Sequence, residues 1–420
     1  MDQTTLLQPV SAGERIEAMD VLRGCALLGI FLMNIEAMAG PLFEGTSGTD
    51  SSLAGADRIV DALVYIGVQG KFYTLFSLLF GMGFAVMMER ASRAGRPFVR
   101  LYLRRTSALL AIGLVHTLLI WAGDVLVAYA LMSLPLLLLR NASLRSLPWW
   151  SAGFYLVPVG LMLMFGLLGS VMQLEPTAAA QMQKQLEQQG MEMAATIEAQ
   201  RQAFGSGGFL AATAQRARDT LAMLGLLPFF GFHVLGMFVL GMWFVRSGAI
   251  ARPSEFAGLY AKLRWIALPA GLALMLASWA LEPEMAHDRL DLRMSAAFGL
   301  HAVASFLMCL GYAAWIVRGL HSRRVAPLLA TLAPAGRMAL TNYLTQSLVA
   351  TLVFYHYGLG FFEQMPRAWQ PVFVVVVFAL QVAFSRWWLA RYPHGPMERL
   401  WRAWTYRGQS RGAGMAAGTV

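Results

Sequence analysis

The chain alternates between long apolar runs and short polar connections, and ten of the runs have the length of a membrane-spanning helix. A transmembrane helix needs about 20 consecutive, mostly apolar residues. The runs lie near residues 19–40, 71–89, 101–121, 124–140, 147–171, 221–246, 262–281, 295–318, 338–360 and 369–390. The pattern predicts an all-α integral membrane protein, a multi-pass bundle of about ten transmembrane helices.

The distribution of arginine predicts the orientation of the bundle, because cytoplasmic loops of membrane proteins are enriched in lysine and arginine. The connection after the second run is the most basic and carries Arg90, Arg93, Arg96, Arg100, Arg104 and Arg105. Placing it in the cytoplasm puts the other arginine-rich loops there and leaves segments 41–57 and 282–293 outside. Both termini then fall in the cytoplasm. No basic segment with a cleavage site precedes the first helix, so we expect that helix to be retained.

Composition supports the membrane class and narrows the partners. Of the 420 residues, 57% are hydrophobic and only 13% are charged. The net charge of +10 does not indicate nucleic acid binding, because the arginines lie in short loops between apolar runs. Cys25 and Cys309 lie inside apolar runs without a CxxC pair, so neither a disulfide nor a zinc site is predicted. Membrane lipids are the expected partners, and the residues leave open whether the chain forms a homo-oligomer.

One long polar insertion divides the chain. Residues 172–220 contain the polar, helix-forming string QMQKQLEQQGMEMAATIEAQ, which GSGG at 205–208 interrupts. We expect an extracytoplasmic helical hairpin or cap between an N-terminal transmembrane half, 1–171, and a C-terminal half with a cytoplasmic tail, 221–420. The connection 41–70 includes a segment too short to span, which is expected to lie at the outer interface or to re-enter the membrane.

The first predicted helix carries polar residues that a simple membrane anchor would not keep. Asp20, Arg23 and Asn34 share one face of a helix with 3.6 residues per turn. An ionisable group at bilayer depth is costly, so it usually faces a partner or a cavity. We therefore expect this face to line a polar interior of the bundle.

His116 and Asp124 flank a tight turn between the third and fourth runs and are candidates for a base and its orienting carboxylate. A neutral imidazole can accept a proton from a substrate while a carboxylate fixes its orientation. A structural interpretation stands beside this one, in which Asp124 caps the next helix and His116 forms an interhelical hydrogen bond. The histidines of the predicted spans show no i,i+4 pair with histidine or glutamate, so no metal site is predicted.

Further polar residues lie at the predicted ends of the bundle. Arg337 and Asn342 belong to GRMALTNYLTQS, where two polar stripes indicate a polar core. Glu398 lies in an amphipathic tail that either rests on the membrane surface or meets the polar inner end of the first helix. Lys71 begins the second run at the outer side, where it can bind a substrate or simply extend its amine to the interface.

Five strings stand in order along the chain: AMDVLRGCALLGIFLMNI, FSLLFGMGF, LRRTSALLAIGLVHTLLIWAGDVLVAYA, GRMALTNYLTQS and GPMERLWRAWTY. Together they resemble the YeiB family of bacterial inner-membrane proteins, whose C-terminal half is known as domain of unknown function 418. That family is grouped with transmembrane acyltransferases, including the heparan-glucosaminide N-acetyltransferases, through the D-x-L-R-G opening of helix 1 and its distal asparagine. The resemblance implies an inner-membrane, acyltransferase-like protein that moves an acyl group from cytosolic acyl-CoA to an extracytoplasmic or lipid acceptor. Residues 41–57 lack the histidine that the heparan enzymes present after helix 1.

With this resemblance, nine side chains receive predicted roles. The predicted catalytic set is His116 as base, Asp124 as its orienting group and Asn34 as an assisting group. The residues predicted to bind the acyl-CoA donor, with no metal, are Asp20, Arg23, Lys71, Arg337, Asn342 and Glu398. Two alternatives remain: a transporter or permease that uses the polar interior as a path for a small solute, and a non-catalytic lipid-binding protein that keeps the fold.

Overall fold

A computed structural model of the protein describes residues 16–45, 48–284 and 289–407, which form seventeen α-helices. In chain order they are α1 (Glu17–Ala39), α2 (Gly55–Gly67), α3 (Lys71–Arg93), α4 (Phe98–Leu119), α5 (Leu126–Leu136), α6 (Leu147–Met172), α7 (Pro176–Gln200), α8 (Phe209–Gly225), α9 (Leu227–Arg246), α10 (Ala257–Lys262), α11 (Leu268–Leu281), α12 (Leu292–Gly319), α13 (Ala326–Ala330), α14 (Ala333–Arg337), α15 (Ala339–Phe354), α16 (Gln370–Leu389) and α17 (Pro396–Thr405). Short 3₁₀ and π segments extend several of them.

Seven helical stretches of the described chain are long and apolar enough to cross a membrane. They are Glu17–Ala39, Gly55–Arg93, Leu147–Met172, Leu227–Arg246, Pro253–Leu281, Leu292–Gly319 and Arg367–Leu389. This confirms the predicted all-α, multi-pass membrane fold. The other three predicted runs form α4, α5 and α15, which are helical but shorter or more polar. The 16 residues of α15, for example, reach only about 24 Å, less than the ~30 Å hydrocarbon core.

Two of the predicted runs contain a helix end that the apolar pattern does not show. The run expected to begin at residue 221 starts at Leu227, because α8 continues to Gly225 and Pro228 suits the first turn of a new helix. The run expected to reach residue 360 stops being helical at Phe354, after which the backbone of Tyr355 is extended. Continuous hydrophobicity conceals both breaks.

The first helix, α1, packs against helices from both halves of the chain, including α3, α14, α15 and α16. Glycine allows its closest contact: a Cβ at Gly336 would overlap the carbonyl oxygen of Asp20, and a Cβ at Gly24 would overlap that of Leu332. Because the two backbones touch, α14 lies directly against the first turns of α1. This contact brings Arg337 to the same end of the bundle as Asp20.

The contact between α3 and α9 also depends on small residues. A Cβ at Gly81 would overlap the backbone of Phe238, and a Cβ at Gly241 would overlap that of Leu78. The missing side chains of Gly81 and Gly241 therefore allow α3 and α9 to pack closely. α9 also packs on α6, and α12 packs on both α6 and α11, so the two halves of the chain share one bundle.

The connection between α1 and α3 is the amphipathic helix α2, which exposes Ile59 and Leu63 and buries Asp61. Its 13 residues are too few to span a bilayer. Gly70 then turns the chain in the left-handed conformation, with φ of 84°, into α3. α2 packs beside the turn that precedes α16. The position predicted for this segment relative to the membrane stays a prediction.

The polar insertion forms two helices, α7 and α8, joined by a π segment at Arg201–Ser206. The predicted glycine break at 205–208 lies between them. The two helices contact each other, and α8 also packs against α4. The insertion therefore covers one end of the bundle as part of the same body.

The arginine-rich end of the bundle, where α1 and α15 begin, is called the cytoplasmic end here because of its charge. The end covered by α2, α7 and α8 is the outer end. The prediction that both termini are cytoplasmic concerns residues 1–15 and 408–420, which lie outside the described residues.

Candidate functional site: an arginine-lined cavity beside a buried histidine

An open cavity of about 340 Å³ lies at the cytoplasmic end, between the first turns of α1 and the helix α17. This volume is within the roughly 300–1,000 Å³ range of small-molecule sites. Its charged lining consists of Arg23, Arg90, Arg105, Arg337 and Arg402 with the carboxylates Asp20 and Glu398. An excess of guanidinium groups over carboxylates in a confined space favours an anionic ligand.

The first turns of α1 supply an ion pair to this cavity. Arg23 Nη1 lies 2.9 Å from Asp20 Oδ1, and the two side chains are 27% and 15% exposed. The i,i+3 spacing places both on one face of the helix. Asp20 therefore holds the Arg23 guanidinium at the cavity wall, where it can still reach a ligand.

The helix α17 forms the opposite wall. Glu398 accepts hydrogen bonds from the backbone N–H of Thr341 at 3.0 Å and from its hydroxyl at 2.6 Å. Burial raises the pKa of Glu398 above its ordinary value, although these hydrogen bonds oppose the shift. Trp401 Nε1 donates to the carbonyl of Arg105 at 2.8 Å, and the Arg105 guanidinium lies 3.7 Å from the centre of a Trp401 ring. These contacts fix α17 on α15 and α4.

Behind the cavity, His116 and Asp124 form a buried pair. His116 Nδ1 lies 2.8 Å from Asp124 Oδ1, and both side chains are 1% exposed. The other carboxylate oxygen of Asp124 accepts from the backbone N–H of Val127 at 2.9 Å, so Asp124 also caps α5 as the structural interpretation expected. His116 Nε2 has no hydrogen-bond partner among the described residues. An Nδ1–H donated to the carboxylate leaves Nε2 with a lone pair.

Tyr343 stands between this buried pair and the cavity. Its side chain lines the cavity, and its ring centre lies 5.3 Å from that of His116. The Tyr343 hydroxyl accepts from the backbone N–H of Val125 at 3.2 Å and lies 3.5 Å from Asp124 Oδ1. One side chain thus separates the imidazole from the ligand-sized space.

The outer side of the pair is covered by α8. Arg216 is fully buried and donates from Nε to the carbonyl of Leu118 at 3.0 Å and from Nη1 to that of Ile120 at 3.4 Å. The hydroxyls of Thr117 and Thr220 lie 2.9 Å apart. The Arg216 bonds satisfy two carbonyls at the end of α4, the helix that carries His116, and together with the hydroxyl pair they tie this end to the insertion.

Three predicted site residues lie away from the cavity. Lys71 is fully buried rather than extended to the interface, and its amine donates to the carbonyl of Tyr65 at 2.8 Å. Asn342 is buried and donates to the carbonyl of Ala335 and to the hydroxyl of Ser385. Asn34 is half-buried on α1 and does not line the cavity.

The structure brings Asp20, Arg23, Arg337 and Glu398 together around one cavity, and it places His116 and Asp124 beside each other just behind it. Among the other lining residues, those with polar or aromatic side chains that sequence reasoning missed include Arg90, Arg105, Tyr343, Trp401 and Arg402. Topology alone is enough to predict arginines at this end, whereas the polar string TNYLTQS and the aromatic tail contain the signal for Tyr343 and Trp401. No group of three or more potential metal ligands occurs in the described parts of the chain.

Comparison with known proteins identifies the family. Residues 244–408 match the model "Protein of unknown function (DUF418)". The chain is 33% identical over 416 residues to "Uncharacterized protein YxaH" of Bacillus subtilis (strain 168), which covers 95% of this chain and 96% of that protein. It is 31% identical over 397 residues to "Uncharacterized protein YeiB" of Escherichia coli (strain K12), covering 94% and 97%. The chain belongs to the DUF418 family of YeiB-like proteins.

A third YeiB-like relative is an uncharacterized 39.9 kDa protein of Bacillus acidopullulyticus, 25% identical over 407 residues and covering 95% of this chain and 96% of that protein. No solved structure matches the chain. The DUF418 match includes Arg337, Tyr343 and Glu398, whereas α1 and the His116–Asp124 pair precede it. The site is thus assembled from the DUF418 segment and from N-terminal helices that precede it.

Proposed function

We propose that this YeiB-like protein is an acyltransferase of the bacterial inner membrane that takes an acyl group from cytosolic acyl-CoA. The observation that carries the proposal is the position of the buried His116–Asp124 pair, one side chain away from an arginine-lined cytoplasmic cavity. A transferase of this kind needs residues that bind an anionic donor and a base close to the reacting carbonyl carbon. The two features meet both needs at adjacent places.

The cavity supports donor binding through charge. Coenzyme A carries phosphate groups, and guanidinium groups bind phosphate oxygens with paired, charge-assisted hydrogen bonds. Arg23 and Arg337 lie on the α1 and α14 side of the cavity, and Arg402 lies on α17. The phosphates of the donor would contact these arginines, and its thioester arm would point toward Tyr343.

The buried pair supports proton transfer from the acceptor. His116 Nε2 would take the proton of an acceptor hydroxyl or amine while the acceptor atom attacks the thioester carbonyl carbon. The carbon–sulfur bond then breaks, the acyl group stays on the acceptor, and the coenzyme A thiolate leaves and regains a proton from the imidazolium. Asp124 would hold the Nδ1–H and stabilise the transient positive charge. Because α8 covers the outer side of the pair, the favoured acceptor is one that arrives from the cavity or from the lipid, such as a lipid headgroup.

The test is acyl-CoA binding and thiol release by the purified full chain in lipid nanodiscs. His116→Ala should lower thiol release by about 10²–10⁴-fold, the usual contribution of a general base, with donor affinity retained. Asp124→Asn should also lower turnover, although its amide oxygen can still cap α5. His356→Ala is the matched control, since His356 is exposed at the outer end. Absence of both binding and thiol release with several acyl-CoA chain lengths would sink the proposal.

A second candidate is a transporter for a small organic anion. A cavity that is open at the cytoplasmic end and covered by α8 at the outer end is what an inward-open transporter would present. Uptake of an anion into proteoliposomes, with no thiol release from acyl-CoA, would favour this candidate.

A further inference from the structure

The helix α17 presents two different faces. One face lines the cavity with Glu398, Trp401 and Arg402. The other is an exposed stripe at helical spacing that continues just past the end of the helix and consists of Arg399, Leu400, Ala403, Trp404 and Arg407. Leu400 is 56% exposed and Trp404 is 52% exposed. Only the first face takes part in the proposed function.

The chemistry of the exposed stripe matches the surface of an anionic bilayer. A leucine and a tryptophan one turn apart can insert among acyl chains and headgroups, and flanking arginines bind anionic headgroups. If this surface faced only water, the two large apolar side chains would have no favourable contacts of this kind. The charge and the apolar pair together select an anionic lipid surface as the occupant.

The place of α17 in the fold brings this stripe to the membrane surface. α16 is a candidate span that ends at Leu389, and α17 begins seven residues later, within about 25 Å of extended chain. Trp387 and Tyr392 are exposed at this end of α16, and the Arg391 guanidinium lies 4.6 Å from the centre of the Trp387 ring. An aromatic and basic set at the end of a span marks the interface.

The cavity face of α17 is attached to the bundle by a few polar contacts. They include the bonds from Thr341 to Glu398, the bond of 3.1 Å from the backbone N–H of Met397 to the Thr341 hydroxyl, the bond from Trp401 to the carbonyl of Arg105, and a bond of 2.9 Å from Arg104 to the carbonyl of Arg407. The position of α17 therefore decides where Glu398, Trp401 and Arg402 stand in the cavity. Because both faces belong to one helix, a displacement of the exposed stripe also moves the cavity wall.

We propose that α17 is a docking surface for the anionic inner leaflet, and that insertion of Leu400 and Trp404 into this leaflet holds the α17 wall of the cavity in place. The first half of the proposal is independent of the cavity's ligand. The second half rests on the proposed function, because it concerns binding of coenzyme A.

The first half is tested with nitroxide labels on the full chain in nanodiscs. Leu400→Cys or Trp404→Cys would be introduced after alanine replaces the two native cysteines, and Arg323→Cys, in an exposed cytoplasmic loop, serves as control. In phosphatidylcholine with phosphatidylglycerol, labels at 400 and 404 should be more accessible to oxygen and less accessible to a water-soluble nickel chelate than the control label at 323. This difference from the control should be smaller in phosphatidylcholine alone. Labels as accessible to nickel as the control would overturn membrane docking, and equal depth in both lipids would overturn its anionic preference.

The second half is tested by coenzyme A binding in the nanodiscs that contain phosphatidylglycerol. The double variant Leu400→Ser, Trp404→Ser should bind coenzyme A several-fold more weakly than the wild type. Leu328→Ser removes a 69% exposed leucine from another cytoplasmic helix at the same net charge and should leave the affinity unchanged. Unchanged affinity in the double variant would overturn the coupling. A wild type that binds no coenzyme A would instead contradict the proposed function, while the label experiment still decides membrane docking.

Discussion

The two ends of this bundle differ in how their arginines are surrounded. At the outer end, Arg367 is 7% exposed, and its Nη2 lies 2.7 Å from Glu36 Oε2 while its Nε lies 2.9 Å from Asp61 Oδ1. Its Nη1 donates to the side chain of Gln370 at 2.7 Å. At the cytoplasmic end, five arginines share a cavity with two carboxylates, and one of these, Glu398, is already bonded to Thr341.

This difference separates an arginine with a structural role from the arginines that we propose bind a ligand. Arg367 joins α1 and α2 to the start of α16, and its acceptors are all supplied by the protein. The cytoplasmic cavity is lined by more guanidinium groups than carboxylates, a charge balance that favours an anion. Counting charges along the sequence cannot make this distinction, because both kinds of arginine lie near the ends of helices.

Removing the outer arginine should have the largest effect on stability. Arg367→Leu leaves Glu36 and Asp61 without their buried cation, which should lower the free energy of unfolding by about 3–5 kcal/mol. Arg201→Leu is the matched control, because Arg201 pairs with Glu44 and Glu363 at an exposed site, where ion pairs contribute about 0–1 kcal/mol. Thermal unfolding in detergent measures both variants. Equal effects would mean that burial does not distinguish the two networks.

The sequence was sufficient for the fold class and for most helices, because hydrophobic runs of spanning length are a strong signal. It also placed Asp20, Arg23, Arg337 and Glu398 at one end of the bundle, and it paired His116 with Asp124 across a short turn. These relations follow from helix periodicity and from loop charge, which are local properties.

The rest of the site depends on contacts that local patterns do not contain. Lys71 was predicted at an interface and is buried, because the left-handed turn at Gly70 directs α3 into the bundle. The role of Tyr343 as the wall between cavity and imidazole depends on its contacts with Asp124 and Val125, in the turn before α5, and with His116 on α4. Trp401 and Arg105 meet only because α17 folds back on α4, nearly 300 residues away in sequence.

The cytoplasmic arginines should affect ligand binding more than stability. Arg337→Gln should weaken coenzyme A binding by about tenfold, since a charge-assisted hydrogen bond contributes about 1.5–3 kcal/mol. Arg318→Gln removes the same charge from the cytoplasmic end of α12, outside the cavity, and should change the affinity little. Isothermal titration calorimetry at two salt concentrations measures both. An equal loss for the two variants would assign the effect to overall charge rather than to the cavity.

The pH dependence of binding should report the carboxylate in the α17 wall. Burial raises the pKa of Glu398 above its ordinary value of 4.5. The neutral form of Glu398 therefore persists to higher pH in the folded protein than in the unfolded chain. The stability that this proton contributes is lost as the pH rises through the raised pKa. The same rise adds a negative charge to the cavity. Coenzyme A should therefore bind more tightly at pH values below the raised pKa of Glu398, where this carboxyl is neutral, and more weakly at pH values above it.

Glu398→Gln should remove the part of the pH dependence that comes from this carboxylate. We expect that part to be about fivefold in affinity, since a unit charge close to a ligand at a solvent-accessible site contributes about 1 kcal/mol. The phosphates of coenzyme A also titrate, so the informative quantity is the ratio of wild-type to variant affinity at each pH. That ratio should fall as the pH rises, whereas Glu192→Gln, an exposed carboxylate on α7, should leave it flat. A ratio independent of pH for Glu398→Gln would mean that this carboxylate keeps one protonation state, and that Thr341 and not the ligand decides its charge.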